Sequence, residues 1–374
     1  MKNVEDRLFS SLLNRASIQF DEGQLLSEIE GKRVLVTGAG GSIGSVLSRR
    51  LMSLAPAQLI LLDHSENELY QLGVELEADE IGTPLTFVLG NVCDKPLLDE
   101  VFIRHRPQIV FHAAAFKHVP LSEHQPLAVI HNNVIGSYLL ADCGIRHGVE
   151  KLVLLSTDKA VSSTSIMGAS KRFAELIWLG LCGARTRSVV VRFVNVFGSR
   201  GSVVPRFAEQ IVRRSPLTVS HPEASRFFMT AHEATGLIIG VLWLSASGTL
   251  FVPDLQESVR ILTLAERMIE DAGYAPDKDI PITFCDLRPG EKLSEDLISA
   301  HEVSYPTAHP QVRRVESPVP SARVIRNLIA ELQKASACRD VVRLLEIVCE
   351  AVPEYQPSAV LLAVVESSAE IRNR

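Results

Sequence analysis

Lys32-Arg33-Val34-Leu35-Val36-Thr37-Gly38-Ala39-Gly40-Gly41-Ser42-Ile43-Gly44 is the stretch on which the fold turns. A short apolar run ends abruptly in glycines, and residues 42–54 then repeat their apolar side chains at helical spacing. That order reads as a buried strand, a tight turn and a helix. The spacing Gly38-x-x-Gly41-x-x-Gly44 suits a dinucleotide, because glycines let the backbone turn sharply and approach a pyrophosphate at the amino end of a helix. Gly38, Gly41, Ser42, Ile43 and Gly44 are the first candidate cofactor contacts.

Working outward, apolar runs recur at residues 58–63, 85–89, 108–112, 151–155 and 188–192, with helical stretches between them, as over 126–147. Strands alternating with helices predict an α/β fold, a Rossmann-like, doubly wound parallel sheet with right-handed crossovers. Asp63 ends the second strand about 20 residues past the glycine turn, where a carboxylate accepts bonds from an adenosine ribose and repels a 2′-phosphate. NAD is therefore favoured over NADP. The alternative is that Asp63 only caps the next helix. Asn91 and Val92 follow the third strand, placed for the adenine. Ala113, Ala114 and Ala115 follow the fourth, small enough for the chain to pass close to the cofactor.

The expected organisation is a leader over 1–30, an NAD-binding core over 31–195, and a smaller, mainly substrate-binding portion over 196–320. That portion is free to return strands or helices to the core and lies at the sheet's carboxyl edge, where such sheets bind ligands. Residues 321–374 read as two helices and a ragged tail. With 46% apolar residues in 374, a sizeable core is available. The net charge of −6, with both signs mixed along the chain, argues against a nucleic-acid surface. Cys93, Cys143, Cys182, Cys285, Cys338 and Cys349 show no paired spacing, and read as buried thiols with no disulfide framework and no metal site. The amino terminus has no apolar signal core. The longest apolar run, 236–244, is about half a membrane span. The expectation is a soluble cytoplasmic protein without a membrane span, assembled as a symmetric homo-oligomer.

The chemistry is concentrated in Ser156-Thr157-Asp158-Lys159 and Ile166-Met167-Gly168-Ala169-Ser170-Lys171. A Ser/Thr strand end followed by Tyr-x-x-x-Lys on a helix is how short-chain dehydrogenase/reductases build their site. Here the slot reads Met-x-x-x-Lys, and methionine has no proton to give or take. Either the site is dead or Asp158 and Lys159 perform the proton transfers.

Taken in order, these motifs resemble the polysaccharide-biosynthesis UDP-N-acetylglucosamine 4,6-dehydratases of the extended short-chain dehydrogenase/reductase family. The resemblance also rests on Lys117-His118-Val119-Pro120, Asn133-Val134-Ile135-Gly136, Gly198-Ser199-Arg200, Arg226-Phe227-Phe228-Met229-Thr230 and Arg288-Pro289-Gly290-Glu291-Lys292, and covers roughly residues 31–300. Many members carry amino-terminal membrane helices, and this chain is expected to be a short, soluble one. The resemblance implies a tightly held NAD that takes the C4 hydride of a UDP-sugar and returns it at C6, after loss of the C5 proton and of the C6 hydroxyl as water.

Within that scheme Lys159 is the candidate C5 base, neutral when it acts and so expected to have a depressed pKa. Asp158 is the candidate acid for the C6 hydroxyl, and Thr157 a partner of the C4 oxygen. Lys171 binds the nicotinamide ribose, and Met167 packs over the sugar. Arg200, Arg226 and Arg288 are candidates to grip the diphosphate. Asn195 donates to a phosphate oxygen, Lys117 stands at the pocket mouth and Glu291 bonds the uridine ribose. His112, His118 and His124 read as ordinary histidines. Ser162-Ser163 stands where the family commonly has Asn-Pro. Val194 replaces a common glycine, adding bulk beside the expected sugar pocket. The alternatives are a nucleotide-sugar 4-epimerase, a C5-inverting dehydratase and a non-catalytic NAD-binding protein.

Overall fold

The computed structural model describes residues 15–78, 82–181, 185–244 and 248–372. One nine-stranded sheet organises them. Its strands are β1 (Arg33–Thr37), β2 (Gln58–Asp63), β3 (Leu85–Leu89), β4 (Ile109–His112), β5 (Lys151–Thr157), β6 (Arg187–Phe193), β7 (Thr249–Pro253), β8 (Val303–Pro306) and β9 (Val312–Glu316). The order is β8-β9-β7-β6-β5-β4-β1-β2-β3. From β7 to β3 every pairing is parallel, whereas β9 runs antiparallel to β7 and β8 to β9. The doubly wound Rossmann-like sheet expected from the sequence is the observed fold. β7 and the β8–β9 pair come from the region after residue 195 and extend the same sheet.

Helices cover both faces, so the central strands read as continuous apolar runs. Leu35, Ile60, Val110, Leu152 and Val190 form the core on one face. Val34, Val36, Leu59, Phe111, Val153 and Val191 form it on the other. A third cluster, around Phe207, Leu217, Leu264 and Ile269, is the centre of the smaller portion. Among the described residues no helix is long and apolar enough to cross a membrane.

Within the expected leader, residues 1–14 lie outside the described residues. From Arg15 onward the segment is built into the core. Ile18, Phe20, Leu25 and Ile29 are buried, Phe20 packs on Gly240, and Arg15 pairs with Glu233 at 2.6 Å. At the other end the structure corrects the expectation of two helices and a ragged tail. Three helices form: Ala322–Ala337, Val341–Ala351 and Ala359–Arg372. Ser358 caps the third, its Oγ accepting the Leu361 N–H at 3.1 Å, and Leu361 is fully buried. The apolar residues of this helix are spread around its circumference, so no helical stripe announced it.

The cysteines also differ from expectation. Cys143 is buried and Cys93 and Cys349 partly so, but Cys285 and Cys338 are exposed, one just after a short strand and the other ending a helix. Cys182 lies outside the described residues.

Candidate active site

Two carboxyl-end loops meet at the switch point between β1 and β4. Gly38 has φ +68°, and a Cβ there would stand 2.5 Å from the Ala114 nitrogen, so the chain after β4 runs directly against the glycine turn. At Gly44 a Cβ would meet the Gly38 carbonyl oxygen at 2.0 Å. Gly41 is the N-cap of the helix Ser42–Met52, which places bare backbone at a helix amino end, as a pyrophosphate requires. Asp63 is buried and bridges two loops. Its Oδ2 accepts the Gly40 N–H at 2.9 Å and its Oδ1 the Ser65 N–H at 2.9 Å. The N-cap of the following helix is Ser65, so Asp63 braces the glycine turn as well as its own.

Ala113, Ala114 and Ala115 are half-buried beside the turn, and Ile43 follows it, also half-buried. Val92 is buried against Gly136, and Asn91 is exposed, its Oδ1 accepting the Cys93 N–H. The Lys117 ammonium reaches over the turn to Ser42 Oγ at 3.3 Å and to the Arg200 carbonyl at 2.8 Å. Open backbone, a helix amino end and a buried carboxylate at the end of β2 together fit a dinucleotide.

His112 is a structural histidine. Nδ1 meets Thr37 Oγ1 at 2.7 Å, Nε2 meets Ser137 Oγ at 2.9 Å, and the ring stacks on Trp178. Burial, aided by Lys171, pushes its pKa down to about 3. His118 and His124 are exposed.

β5 ends at Thr157, and Asp158–Ala160 form a single 3₁₀ turn. Thr157 Oγ1 donates to Asp158 Oδ1 at 2.9 Å, and the Lys159 ammonium donates to the same oxygen at 3.0 Å. Asp158 has no exposed surface, and its Oδ2 finds no hydrogen-bond partner among the described residues. A buried acceptor left open is costly in a folded protein and marks a place for a ligand or a water.

The structure corrects the expected charge behaviour of Lys159. Burial pushes its pKa down, but the carboxylates of Asp158 and Glu295 outweigh burial and hold it above the ordinary lysine value. Lysines with a depressed pKa are Lys117, lowered by burial, and Lys171. Lys171 is buried, its Nζ donates to the Leu155 carbonyl at 2.6 Å, and burial pulls it down to about 8 against the opposing Glu175.

The helix Ile166–Gly180 presents Met167 and Lys171, and its start is firmly held. Ser165 Oγ accepts the Gly168 N–H, and buried Glu123 accepts the Ile166 N–H at 2.8 Å. Met167 is buried yet belongs to none of the three apolar clusters among the described residues. The stretch 126–147, read as one helix, is interrupted by a π turn at His131–Ile135. Such turns recur at functional sites. This one presents Asn133, whose amide bonds both the N–H and the carbonyl of Phe116 and reaches Ser170 at 2.9 Å.

The substrate candidates separate into groups. Asn195 donates to the Phe227 carbonyl at 3.0 Å, and its oxygen lies 3.4 Å from Lys159 Nζ. Arg226 donates to the carbonyls of Ser225, Lys292 and Leu293, so its guanidinium fastens the 292–295 segment. Arg200 pairs with Glu68 beside the cofactor turn. Arg288 is exposed, and its N–H donates to Glu291 at 3.2 Å. Val194 is buried in the core beneath the sheet. Ser163 takes an unexpected place: its Oγ donates to the carbonyls of Lys159 and Ala160, bracing the Asp158–Ala160 turn.

Sequence reasoning missed Glu295 and Lys292 as site residues. Lys292 closes the Arg288–Lys292 motif and Glu295 follows three residues on, but nothing local brings that loop to Lys159. Cys143, in the helix Gly136–Arg146, and His147, its C-cap, were also not singled out as a pair. With Asp99 their ligand atoms lie within 4.8 Å of one another, although the Arg146 guanidinium already bonds Asp99 at 2.8 Å.

Residues 34–317 match the family described as Polysaccharide biosynthesis protein. The chain is 41% identical over 312 residues to the probable polysaccharide biosynthesis protein EpsC of Bacillus subtilis, covering 83% of this chain and 52% of that one. It is 41% identical to the capsular polysaccharide biosynthesis protein CapD of Staphylococcus aureus, covering 83% and 51%. It thus spans about half the length of these relatives. A UDP-glucose 4-epimerase of Rickettsia canadensis is 33% identical, covering 73% of this chain and 79% of its own length. Among solved structures, Pen from Bacillus thuringiensis superposes with a TM-score of 0.70 at 27% identity, covering 82% and 98%. DesIV, a dTDP-glucose 4,6-dehydratase from Streptomyces venezuelae with NAD bound, gives 0.63 at 20% identity, covering 81% and 98%, a likeness of fold.

Proposed function

The chain belongs to the polysaccharide biosynthesis protein family, and we propose that it is a nucleotide-sugar 4,6-dehydratase acting on UDP-N-acetylglucosamine with NAD. The observation that carries this reading is the Asp158–Lys159 pair at the end of β5, 3.0 Å apart, with Asp158 Oδ2 open. When bound, NAD accepts the C4 hydride and gives it back at C6. The glycine turn and Asp63 supply the cradle for it.

The remaining chemistry falls to the chain's own residues. As it rests, the pair is an ammonium and a carboxylate, and neither form does the required work. Moving one proton along the 3.0 Å bond turns Lys159 into an amine and Asp158 into a carboxylic acid. The amine then takes the C5 proton, and the acid protonates the departing C6 hydroxyl. One water leaves; as C6 is reduced the Lys159 ammonium returns the proton to C5, and the proton that left the C4 hydroxyl through Thr157 and water restores the pair to its resting form. Thr157 Oγ1 stands on the same side to bond the C4 oxygen, and Lys171 to bond the nicotinamide ribose.

A 4-epimerase is the second reading, favoured by the epimerase names among the relatives at 33% identity. Met167 in the tyrosine slot removes the usual C4 base from both readings. An Asp–Lys acid–base pair, however, is needed for elimination across C5 and C6 and not for epimerisation, which favours the dehydratase. Mass spectrometry after incubation with UDP-N-acetylglucosamine decides the matter. Loss of one water supports the dehydratase, and NMR of the product then reports the C5 configuration. An unchanged mass with an inverted C4 overturns the dehydratase in favour of the epimerase.

A further inference from the structure

Glu295 is only 6% exposed, yet three cations converge on it. Its Oε1 lies 3.6 Å from Lys159 Nζ and 4.0 Å from Arg226 Nε, and its Oε2 lies 3.3 Å from Lys292 Nζ. Oε2 has no hydrogen-bond partner among the described residues, so electrostatics rather than a hydrogen-bond network locates this carboxylate. Two of the cations are themselves pinned. Lys292 donates to the Val161 carbonyl at 2.6 Å, and Arg226 to three backbone carbonyls. The third, Lys159, is the group with chemistry to do. The charges facing it are Asp158, Glu295 and Arg226, and those facing Glu295 are Lys159, Arg226 and Lys292.

We infer that Glu295 is a positioning residue that fixes the place and the charge of the Lys159 amino group beside Asp158. Its consequence for turnover rests on the dehydratase reading above, but its effect on Lys159 does not. Two carboxylates around one buried ammonium favour the charged amine, and Arg226 opposes them. Neutralising Glu295 removes one of the two, leaving burial less opposed, so Lys159 gives up its proton more readily. Neutralising Lys292 does the reverse, because Glu295 is then shared by one cation fewer. Opposite signs from two neighbouring substitutions are not what mere loosening of the loop would produce.

The test is competitive labelling of the full chain with acetic anhydride across pH, with Lys159 acetylation read by peptide mass spectrometry. Glu295→Gln is expected to move the Lys159 labelling midpoint down by about one pH unit, roughly tenfold faster labelling at a fixed pH below the midpoint. Lys292→Gln moves it up, and Glu295→Asp, which keeps the charge, leaves it close to the wild-type value. Circular dichroism establishes that each variant is folded; if Glu295→Gln is not, Lys292→Gln decides. Midpoints that stay put, or that move in the same direction for both substitutions, overturn the inference. Labelling needs no turnover. A wild-type enzyme that leaves UDP-N-acetylglucosamine intact while these midpoints move as stated therefore defeats the dehydratase reading and leaves this one standing.

Discussion

Arg192 donates to both oxygens of Glu175, at 2.8 and 2.7 Å, and neither side chain has any exposed surface. Glu302 takes the other edge of the same guanidinium at 2.7 and 2.8 Å, Arg172 adds a bond to Glu175, and Ser156 Oγ donates to Glu175 Oε1 at 2.6 Å. This network ties β6 to the helix bearing Lys171 and to the end of β5, so it holds the Asp158–Ala160 turn from behind. Removing one partner from a buried ionic network strands the others without water. Arg192→Met is expected to lower the unfolding free energy by about 3–5 kcal/mol, read from urea denaturation. A loss under about 1 kcal/mol would show that the two carboxylates find other partners.

Lys171 gives a pH dependence with a definite sign. Burial brings its folded-state pKa down to about 8, against an ordinary value of 10.5. Between those values the unfolded chain binds more protons than the folded one, so stability rises with pH through that window. Near neutrality both states are protonated, and the buried ammonium is a standing cost. The ligand-free wild type should therefore gain about 2–3 kcal/mol relative to Lys171→Met between roughly pH 7.5 and 10.5. Urea midpoints of the two proteins at both pH values measure this. A constant difference would remove the buried-ammonium account.

How much of this was legible in the sequence follows from the range of the forces involved. The glycine turn and the strands were legible because period and turn chemistry are local, and the runs at 58–63 and 85–89 coincide with β2 and β3. The position of Asp63 after β2 was legible for the same reason; its bond to the Gly40 N–H was not. The charge state of Lys159 was not legible either. Burial, Lys171 and the nicotinamide argued for a depressed pKa; the Asp158 carboxylate and, after it, Glu295 reverse that, and Glu295 reaches the site only through the packing of the 286–297 loop. Val194 was read toward the sugar because it replaces a glycine common in the resembled family, but successive residues of an extended chain face opposite ways, and Val194 faces the core.

Cofactor choice tests Asp63. The wild type is expected to bind NAD more tightly than NADP, because the carboxylate stands where a 2′-phosphate would be repelled. Asp63→Ala also strands the Gly40 N–H at the pyrophosphate turn. It should weaken NAD binding about tenfold or more while narrowing the gap to NADP, as read by calorimetric titration. Tighter NADP than NAD in the wild type would sink the assignment.

The sharpest test of the proton-transfer scheme substitutes the two members of the pair in ways that separate charge from chemistry. Asp158→Asn and Lys159→Ala are expected to cut turnover by about 10²–10⁴-fold while NAD stays bound, since neither residue touches the glycine turn. Loss of activity in these two variants alone would also follow from a collapsed site. Lys159→Arg distinguishes the cases. A guanidinium keeps the positive charge between Asp158 and Glu295, so the fold and the ion pair survive, but it does not give up its proton at accessible pH. It should therefore fail as completely as Lys159→Ala while melting like the wild type. Met167→Ala, which removes shape and no proton, should fall less than tenfold. Turnover by Lys159→Arg within about tenfold of the wild type would mean that Lys159 serves as a fixed charge, and the C5 base would have to be sought elsewhere.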